Sequence, residues 1–383
     1  MKTILITGGA GFIGSHLADA LLQENHHIRI YDSLIPQVHD GEQNRWPAYL
    51  NKNCETIQGD VRNREQLKLA LRGVDVVYHL AARVGVGQSM YEIQGYSDVN
   101  IGGTATLLDI IVNESPIRDR IAKVVLASSM SNYGEGAYRC PIHGTVAPSV
   151  RSVEQLSAKE WEMRCPGTDE NDRPCSEPLT PVPTSEAKQL EPMSIYAITK
   201  KTQEEMCLVT GRTYGIPMVG LRFFNTYGSR QALSNPYTGV LAIFCSRLLN
   251  QKSPLIYEDG QQVRDFVHVS DLVQAARLVM DHPEATDKVF NVGTGQPITI
   301  REIAVALAEY MDVPVAPQLT QQARSGDIRH CYADIEQLKG LGYRPKMTFE
   351  DGLDELVEWV SSQIPADSFE KAQEQLVTRG LAV

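Results

Sequence analysis

Ile4-Leu5-Ile6-Thr7-Gly8-Gly9-Ala10-Gly11-Phe12-Ile13-Gly14 sets a short apolar run directly against a glycine-rich turn. The run reads as a parallel strand buried on both faces, and Leu17, Ala18, Leu21 and Leu22 repeat behind the turn at helical spacing. Glycines at such a corner tighten it and let backbone N–H groups approach a pyrophosphate, whose charge the helix amino end favours. Gly8, Gly11, Phe12, Ile13 and Gly14 are therefore candidate dinucleotide contacts. The next strand, Ile28-Arg29-Ile30-Tyr31-Asp32, ends in the acidic residue that this reading requires. Asp32 accepts hydrogen bonds from an adenosine ribose and repels a 2′-phosphate, so the pattern predicts NAD rather than NADP.

With 383 residues, 42% of them hydrophobic, the chain can bury a large core and exceeds one small domain. A net charge of −11 argues against a nucleic-acid partner, whose binding rests on clustered Lys and Arg. No apolar stretch is long enough to span a bilayer, and Met1-Lys2-Thr3 runs into the first strand without a signal-peptide pattern. Seven cysteines, an odd number scattered through a large chain, fit reduced thiols of a cytoplasmic protein.

Strand and helix patterns alternate through the first half. Asp75 to Ala82 and Lys123 to Ser129 read as later parallel strands of a Rossmann-type, doubly wound α/β sheet. Ligands of such sheets sit beyond the carboxyl ends of the strands. From Glu135 to Pro192 the alternation breaks into a proline-rich, irregular stretch holding three of the cysteines, interrupted by an amphipathic piece from Val153 to Met163. This stretch reads as an inserted lobe. Beyond it, Ile195 to Tyr214 is strongly helical and Met218 to Phe224 returns to a strand. Residues 1–220 are thus expected to form the NAD-binding domain. Residues 221–353 would be mainly a smaller substrate lobe, with about 261–299 returning to the first domain. Residues 354–383 would complete a closing helix, begun at Phe349, and a fraying tail.

Tyr196 and Lys200 stand four apart on that helix, so their side chains share a face. An adjacent ammonium stabilises a phenolate and lowers its pKa, which a tyrosine needs in order to act as a base near neutrality. Ser129, at the carboxyl end of a strand in the same sheet, can hold a sugar hydroxyl while Tyr196 removes its proton.

These residues carry a resemblance. The chain is similar to the extended short-chain dehydrogenases/reductases of the nucleotide-sugar epimerase/dehydratase group. Its turn matches TGxxGxxG, Tyr196-Ala197-Ile198-Thr199-Lys200 matches YxxxK, and Ser128-Ser129 followed by Tyr133-Gly134 matches the group's serine strand. The likeness runs to about residue 350, except for the Glu135–Pro192 insertion. It implies Asp60 and Val61 beside the adenine, with Ala81, Ala82 and Asn100 lining the NAD path. Lys200 would also bond the nicotinamide ribose. Leu221-Arg222-Phe223-Phe224-Asn225, Arg264-Asp265-Phe266-Val267-His268-Val269 and Arg324-Ser325-Gly326-Asp327 resemble further segments of the group. They imply that Asn225 touches the sugar nucleotide and that Arg264 and Arg324 grip its diphosphate, as guanidinium forks can.

The resemblance implies a shared opening step, in which Tyr196 deprotonates the C4 hydroxyl of a nucleotide sugar while NAD takes the hydride. Dehydratases of the group carry an acid and a base immediately after the catalytic serine, where this chain has Met130 and Ser131. Decarboxylases carry a Glu at the position of Ser131, and some 3,5-epimerases use a cysteine there. What remains is C4 epimerisation through a 4-keto sugar, with NAD tightly bound and regenerated. Residues 84–93 and 230–240, with the Cys-Pro element of the insertion, resemble the dTDP-L-rhamnose 4-epimerases of the group. Nothing in them physically demands thymine or a deoxysugar, so other nucleotide sugars stay open. An NAD(P)-linked nucleotide-sugar reductase or dehydrogenase and a non-catalytic NAD-binding protein are the alternatives.

Cys140-Pro141-Ile142-His143 has metal-ligand spacing, and Cys165 and Cys175 could complete a structural Cys₃His zinc site. The similar proteins imply a tighter Cys-Pro-x-Cys knuckle, whose second cysteine is replaced here by Thr168, leaving Cys175 to substitute over a longer loop. Unliganded thiols in a lid over the site are the other reading. His16, His79 and His268 are expected to pack rather than catalyse. Ile101 to Val112 and Ile195 to Tyr214 could supply the four-helix homodimer interface common in the group.

Overall fold

The computed structural model describes residues 1–39, 45–168, 171–175, 177–235, 237, 239–324, 326–363 and 369–381. Seven strands form the central sheet: β1 (Thr3–Thr7), β2 (His27–Asp32), β3 (Glu55–Gln58), β4 (Val76–His79), β5 (Lys123–Ser129), β6 (Met218–Phe223) and β7 (Lys288–Val292). Their order is β7-β6-β5-β4-β1-β2-β3, and every neighbouring pair is parallel. The order reverses between β1 and β4, which opens the crevice where doubly wound sheets bind ligands.

Alternate residues of β1 feed separate cores, as strand geometry requires. Ile4 and Ile6 pack with Leu17 and Leu21 of the helix Phe12–Gln23 and with Leu272 and Val279 of Val269–Asp281. Leu5 instead packs on the other face with Leu107, Ile110 and Cys207. Each fully buried aliphatic side chain contributes roughly 1.5–3 kcal/mol. The edge strand β3, Glu-Thr-Ile-Gln, lacks an apolar run and was not legible as a strand.

Past β6 the chain builds a second lobe. Asn225–Tyr227 pairs in parallel with Val263–His268, which pairs antiparallel with Pro297–Thr299. Leu241, Phe244, Leu248, Ile303, Leu307, Leu353 and Leu356 form its core, from three helices: Val240–Leu249, Ile300–Tyr310 and Phe349–Ser361. Between these elements, the helix Val269–Asp281 and β7 return to the central sheet.

The insertion is more regular than its composition predicts. Ala137–Cys140 lies between Gly144–Val146 and Thr180–Val182 in a small antiparallel sheet. Strands of three or four residues, one of them forty residues away, are too short to show a period of two. Its two ends meet where Glu191 donates its N–H to the Tyr133 carbonyl at 3.4 Å. Within the amphipathic piece from Val153 to Met163 only Val153–Ser157 is helical, and none of its residues is buried. Trp161 and Met163 are buried from an irregular segment beyond it.

The tail also departs from expectation. Ile364 lies outside the described residues, but Phe369–Thr378 forms a helix that docks rather than frays. Gln375 Oε1 accepts hydrogen bonds from the Tyr91 and Tyr237 hydroxyls, both at 2.9 Å. No described helix is long and apolar enough to cross a membrane.

Candidate active site

At the end of β1 the chain turns with Gly8 at φ +71°, a conformation side chains rarely adopt. A Cβ on Gly8 would lie 2.8 Å from the Ala81 nitrogen, and one on Gly14 would lie 2.6 Å from the Gly8 carbonyl oxygen. Bare glycines thus let the helix Phe12–Gln23 begin directly on the turn. Across β2, the Asp32 carboxylate accepts from the Ala10 N–H at 3.0 Å and the Leu34 N–H at 2.9 Å. These bonds hold the buried carboxylate at the strand end, facing the turn.

A cavity of about 660 Å³ runs from this corner to the second lobe. Gly8, Gly11, Phe12, Ile13, Gly14, Asp32, Asp60, Val61, Ala81 and Ala82 line one end. Ser129, Tyr196 and Lys200 stand in its middle and Asn225 beyond them. The Asp60 carboxyl sits below the usual range, chiefly because Arg62 hydrogen-bonds it.

The helix Ile195–Tyr214 starts where Ser194 Oγ accepts the Ala197 N–H at 3.1 Å and ends at Gly215, a left-handed residue. Tyr196 is set further by its own N–H, which donates to Ser89 Oγ at 3.0 Å. Residues 84–93 therefore contribute by placing the tyrosine. One turn on, Lys200 Nζ donates to the Ala127 carbonyl at 2.8 Å. Ser129 Oγ accepts from the Ser131 hydroxyl at 2.8 Å and the Ser131 N–H at 3.2 Å, leaving its own proton for a partner across the cavity.

Burial pushes the Tyr196 phenol up to about 12, opposed by its hydrogen bond with Ser129. Burial also brings Lys200 down to about 8. The expectation that Lys200 lowers the phenol is thus not met in this state. Desolvation dominates, and Ser129 is the group that opposes it.

Three expected site residues stand off the cavity wall. Asn100 lies in a π-helical turn, Ser97–Gly102, and its amide bonds the Arg83 N–H, the Arg83 carbonyl and Thr199. It shapes the wall through Arg83, which does line the cavity. Arg264 donates to the carbonyls of Val263, Ile328 and Arg329, so its fork ties two backbone segments together. Arg324 stacks 4.5 Å over Tyr257 and pairs with Asp327 at 2.8 Å; Ser325 of the same motif lies outside the described residues. Arg62, Arg83 and Arg230 are the guanidinium groups among the described lining residues, Arg62 paired with Asp60 at 2.6 Å and Arg230 with Asp19 at 2.8 Å.

Sequence reasoning overlooked the support behind the serine strand. Glu204, one turn past Lys200, accepts from Ser128 Oγ at 2.6 Å and from Arg222 at 2.6 and 3.0 Å. Arg222 also donates to the Tyr133 hydroxyl at 2.8 Å. An Arg in the LRxFN segment and a Glu four residues past the lysine were the available signals. The histidines hold structure. His79 is buried between Thr7 and Thr104, and burial keeps it neutral, down to about 3. His16 meets the Ser229 carbonyl at 3.0 Å, and His268 caps its helix through Ser270.

Residues 230–240 also meet the cavity, through Arg230, Gln231, Ala232, Asn235, Gly239 and Val240; Pro236 and Thr238 lie outside the described residues. Away from the cavity, Cys140, His143, Cys165 and Cys175 come together, with their donor atoms all within 4.8 Å of one another.

A reversing parallel sheet, a glycine corner facing a strand-end carboxylate, and a Ser, Tyr and Lys on one cavity define a dinucleotide-dependent enzyme class of the short-chain dehydrogenase/reductase type. The chain belongs to the NAD dependent epimerase/dehydratase family, whose model matches residues 4–153 and 174–293. The unmatched gap falls in the inserted lobe. It is 33% identical over 368 residues to a dTDP-L-rhamnose 4-epimerase of Burkholderia thailandensis, covering 95% of this chain and 96% of that one. Among solved structures it is similar to a UDP-glucose 4-epimerase of Thermotoga maritima with UDP-glucose, at TM-score 0.73 and 28% identity over 94% of this chain and 98% of that one. It is also similar to a UDP-glucuronic acid 4-epimerase of Bacillus cereus in complex with UDP-glucuronic acid and NAD. That match has TM-score 0.70 and 26% identity, over 94% of this chain and 99% of that one.

Proposed function

We propose that the protein is an isomerase, an NAD-dependent nucleotide-sugar 4-epimerase, and that its substrate is dTDP-L-rhamnose or a sugar nucleotide of similar shape. The observation that carries this reading is the placement of Ser129, Tyr196 and Lys200 on the cavity that begins at the glycine corner. Met130 and Ser131 follow the serine and offer neither an acid–base pair nor a carboxylate for dehydration or decarboxylation.

The residues present fit NAD. Gly8 and Gly14 pack too closely against backbone to carry a Cβ, so with Gly11 they hold the tight turn that lines the cavity where a pyrophosphate would sit, and Asp32 offers a carboxylate for the adenosine ribose. Asp60, Val61, Ala81 and Ala82 would flank the rest of the cofactor, and Lys200 its nicotinamide ribose. When bound, NAD supplies a hydride acceptor and donor at C4, so each turnover restores it. In our reading Ser129 holds the C4 hydroxyl while Tyr196 takes its proton. Lys200 and, with NAD bound, its positive charge would bring the phenol down from its buried value. Asn225, whose buried Oδ1 has no partner among the described residues, would accept a donor from the sugar nucleotide.

The dTDP-L-rhamnose reading rests on the 33% identical relative and stays an inference about this chain. We further infer a homodimer, since the helix Ile195–Tyr214 leaves Ile198 and Val209 exposed.

Proton NMR in D₂O with a panel of nucleotide sugars and no added cofactor tests this. We expect the C4 epimer without solvent deuterium. Deuterium at C3 or C5 would mean enolisation, and a need for stoichiometric NADH or NAD would mean a reductase or dehydrogenase; either overturns the proposal.

A further inference from the structure

We propose that Cys140, His143, Cys165 and Cys175 bind one structural zinc ion at the tip of the inserted lobe. The spacings carry this. Cys140 Sγ lies 3.8 Å from Cys175 Sγ, and His143 Nδ1 lies 3.5 Å from Cys140 Sγ and 3.4 Å from Cys165 Sγ. On a tetrahedron with Zn–S of ~2.3 Å and Zn–N of ~2.0 Å, sulfurs stand about 3.8 Å apart and sulfur and nitrogen about 3.5 Å. A disulfide would bring two sulfurs to about 2.05 Å, so the cluster has ligand geometry rather than bridge geometry.

The surroundings prepare the same arrangement. His143 Nε2 lies 3.1 Å from the Thr168 carbonyl, which takes its proton and leaves the Nδ1 lone pair facing the sulfurs. The Gly167 N–H donates to Cys165 Sγ at 3.4 Å, the kind of bond that stabilises a thiolate. A Cβ on Gly167 would lie 2.6 Å from the imidazole, so only glycine lets this backbone pass so close to the ring.

Cys175 reaches the site despite its distance from Cys165. Thr168 and Pro174 form an antiparallel bridge, and the Cys175 N–H donates to the Gly167 carbonyl at 2.9 Å. These contacts bring Cys175 back beside Cys165. Cys140 and His143 flank the turn joining Ala137–Cys140 to Gly144–Val146, where Gly144 takes φ +69°. Three thiolates and an imidazole in a tetrahedron select zinc over harder cations.

The lobe has need of such a link. No residue from 135 to 189 belongs to any of the three apolar clusters. Its ties to the body of the protein are polar: Glu135 accepts the N–H groups of Arg329 and His330, and Thr184 donates its N–H to the Tyr332 carbonyl and accepts the Asp334 N–H. None of the four ligands lines the cavity, and four protein donors leave no open position, so the ion is structural.

The test uses the full chain without a histidine tag, purified under reducing conditions from zinc-supplemented medium. Elemental analysis should give about one zinc per chain. Exchange into Co²⁺ should give the intense visible bands of a tetrahedral site with thiolate-to-cobalt charge transfer. His143→Ala and Cys175→Ser should lower zinc content about 10-fold or more, His143→Cys should restore it, and bound NAD should be retained throughout. Folded wild type that takes up neither metal overturns the proposal, as does an octahedral cobalt spectrum or a Cys140–Cys175 disulfide in reduced protein. Because the wild-type spectrum decides, a variant that fails to fold leaves the test intact.

Discussion

Glu204 and Arg222 form a buried ion pair at 2.6 Å behind the serine strand, joining the helix that carries Tyr196 and Lys200 to β6. The same Glu204 carboxylate accepts the hydroxyl of Ser128, the neighbour of Ser129. The pair therefore acts with the Lys200 bond to the Ala127 carbonyl in setting how far the serine strand stands from the tyrosine helix.

Glu204→Gln tests this. It leaves the Arg222 guanidinium buried without its counter-charge, which costs roughly 3–5 kcal/mol. Thermal unfolding should show a lower Tm, and residual activity should fall through kcat while NAD content changes little. A variant as stable as wild type would mean that solvent reaches the pair.

Tyr196→Phe removes the proposed base and little else. Loss of general base catalysis predicts a decrease of about 10²–10⁴-fold in kcat. The backbone bond to Ser89 and the cofactor contacts remain, so bound NAD, read by absorbance after denaturation, should match wild type.

The pH dependence follows from Lys200. Burial holds it at about 8, so it loses its charge as pH rises above that value, well before an ordinary lysine would. If the ammonium stabilises the phenolate, kcat/KM should decline above about pH 8, and Lys200→Met should lower the rate and abolish that decline. Stability runs the other way. Between about 8 and the ordinary 10.5 the folded protein binds fewer protons than the unfolded chain, so the Lys200 contribution favours folding more as pH rises through this window. Comparing Tm against pH for wild type and variant isolates it.

Asp32→Asn keeps the shape of the strand end and removes its charge. Losing charge-assisted bonds to a ribose is worth about 1.5–3 kcal/mol, or roughly 10–100-fold in NAD affinity. The penalty against NADP should shrink in the same variant. Fluorescence titration of cofactor-depleted protein with each dinucleotide reads both.

Much of the fold was legible because local signals agreed. Ile4-Leu5-Ile6 against Gly8 could form little else, and Ser194 and Gly215 bracket the tyrosine helix with ordinary caps. The same locality explains what was missed. The strand Thr180–Val182 pairs with residues forty positions earlier, and the Phe369–Thr378 helix is held by Tyr91 and Tyr237, so neither has a local signature. At the site, Ser129, Tyr196 and Lys200 come from recognisable segments, whereas the roles of Asn100 and Arg264 depended on where side chains point. Arg264 sits in the expected motif, yet its fork turns to the carbonyls of Ile328 and Arg329.

The two ends of the inserted lobe meet at Tyr133 and Glu191, while Glu135, Arg151, Glu162, Thr184 and Glu186 tie its inner part to the body of the protein. Because the ends meet there, the outer hairpins of the lobe can vary in length without pulling on Ser129 and Tyr196. A shortened chain bridging residues 135 to 191 with a turn would take away Thr184 and Glu186, which bond Asn291 and Arg222 behind the serine strand. It would expose Arg329, which would still have Glu258 and Asp259 but not Glu162. Variation confined to those hairpins therefore leaves the chemistry in place, whereas variation near Thr184 and Glu186 reaches the serine strand through Arg222 and Asn291.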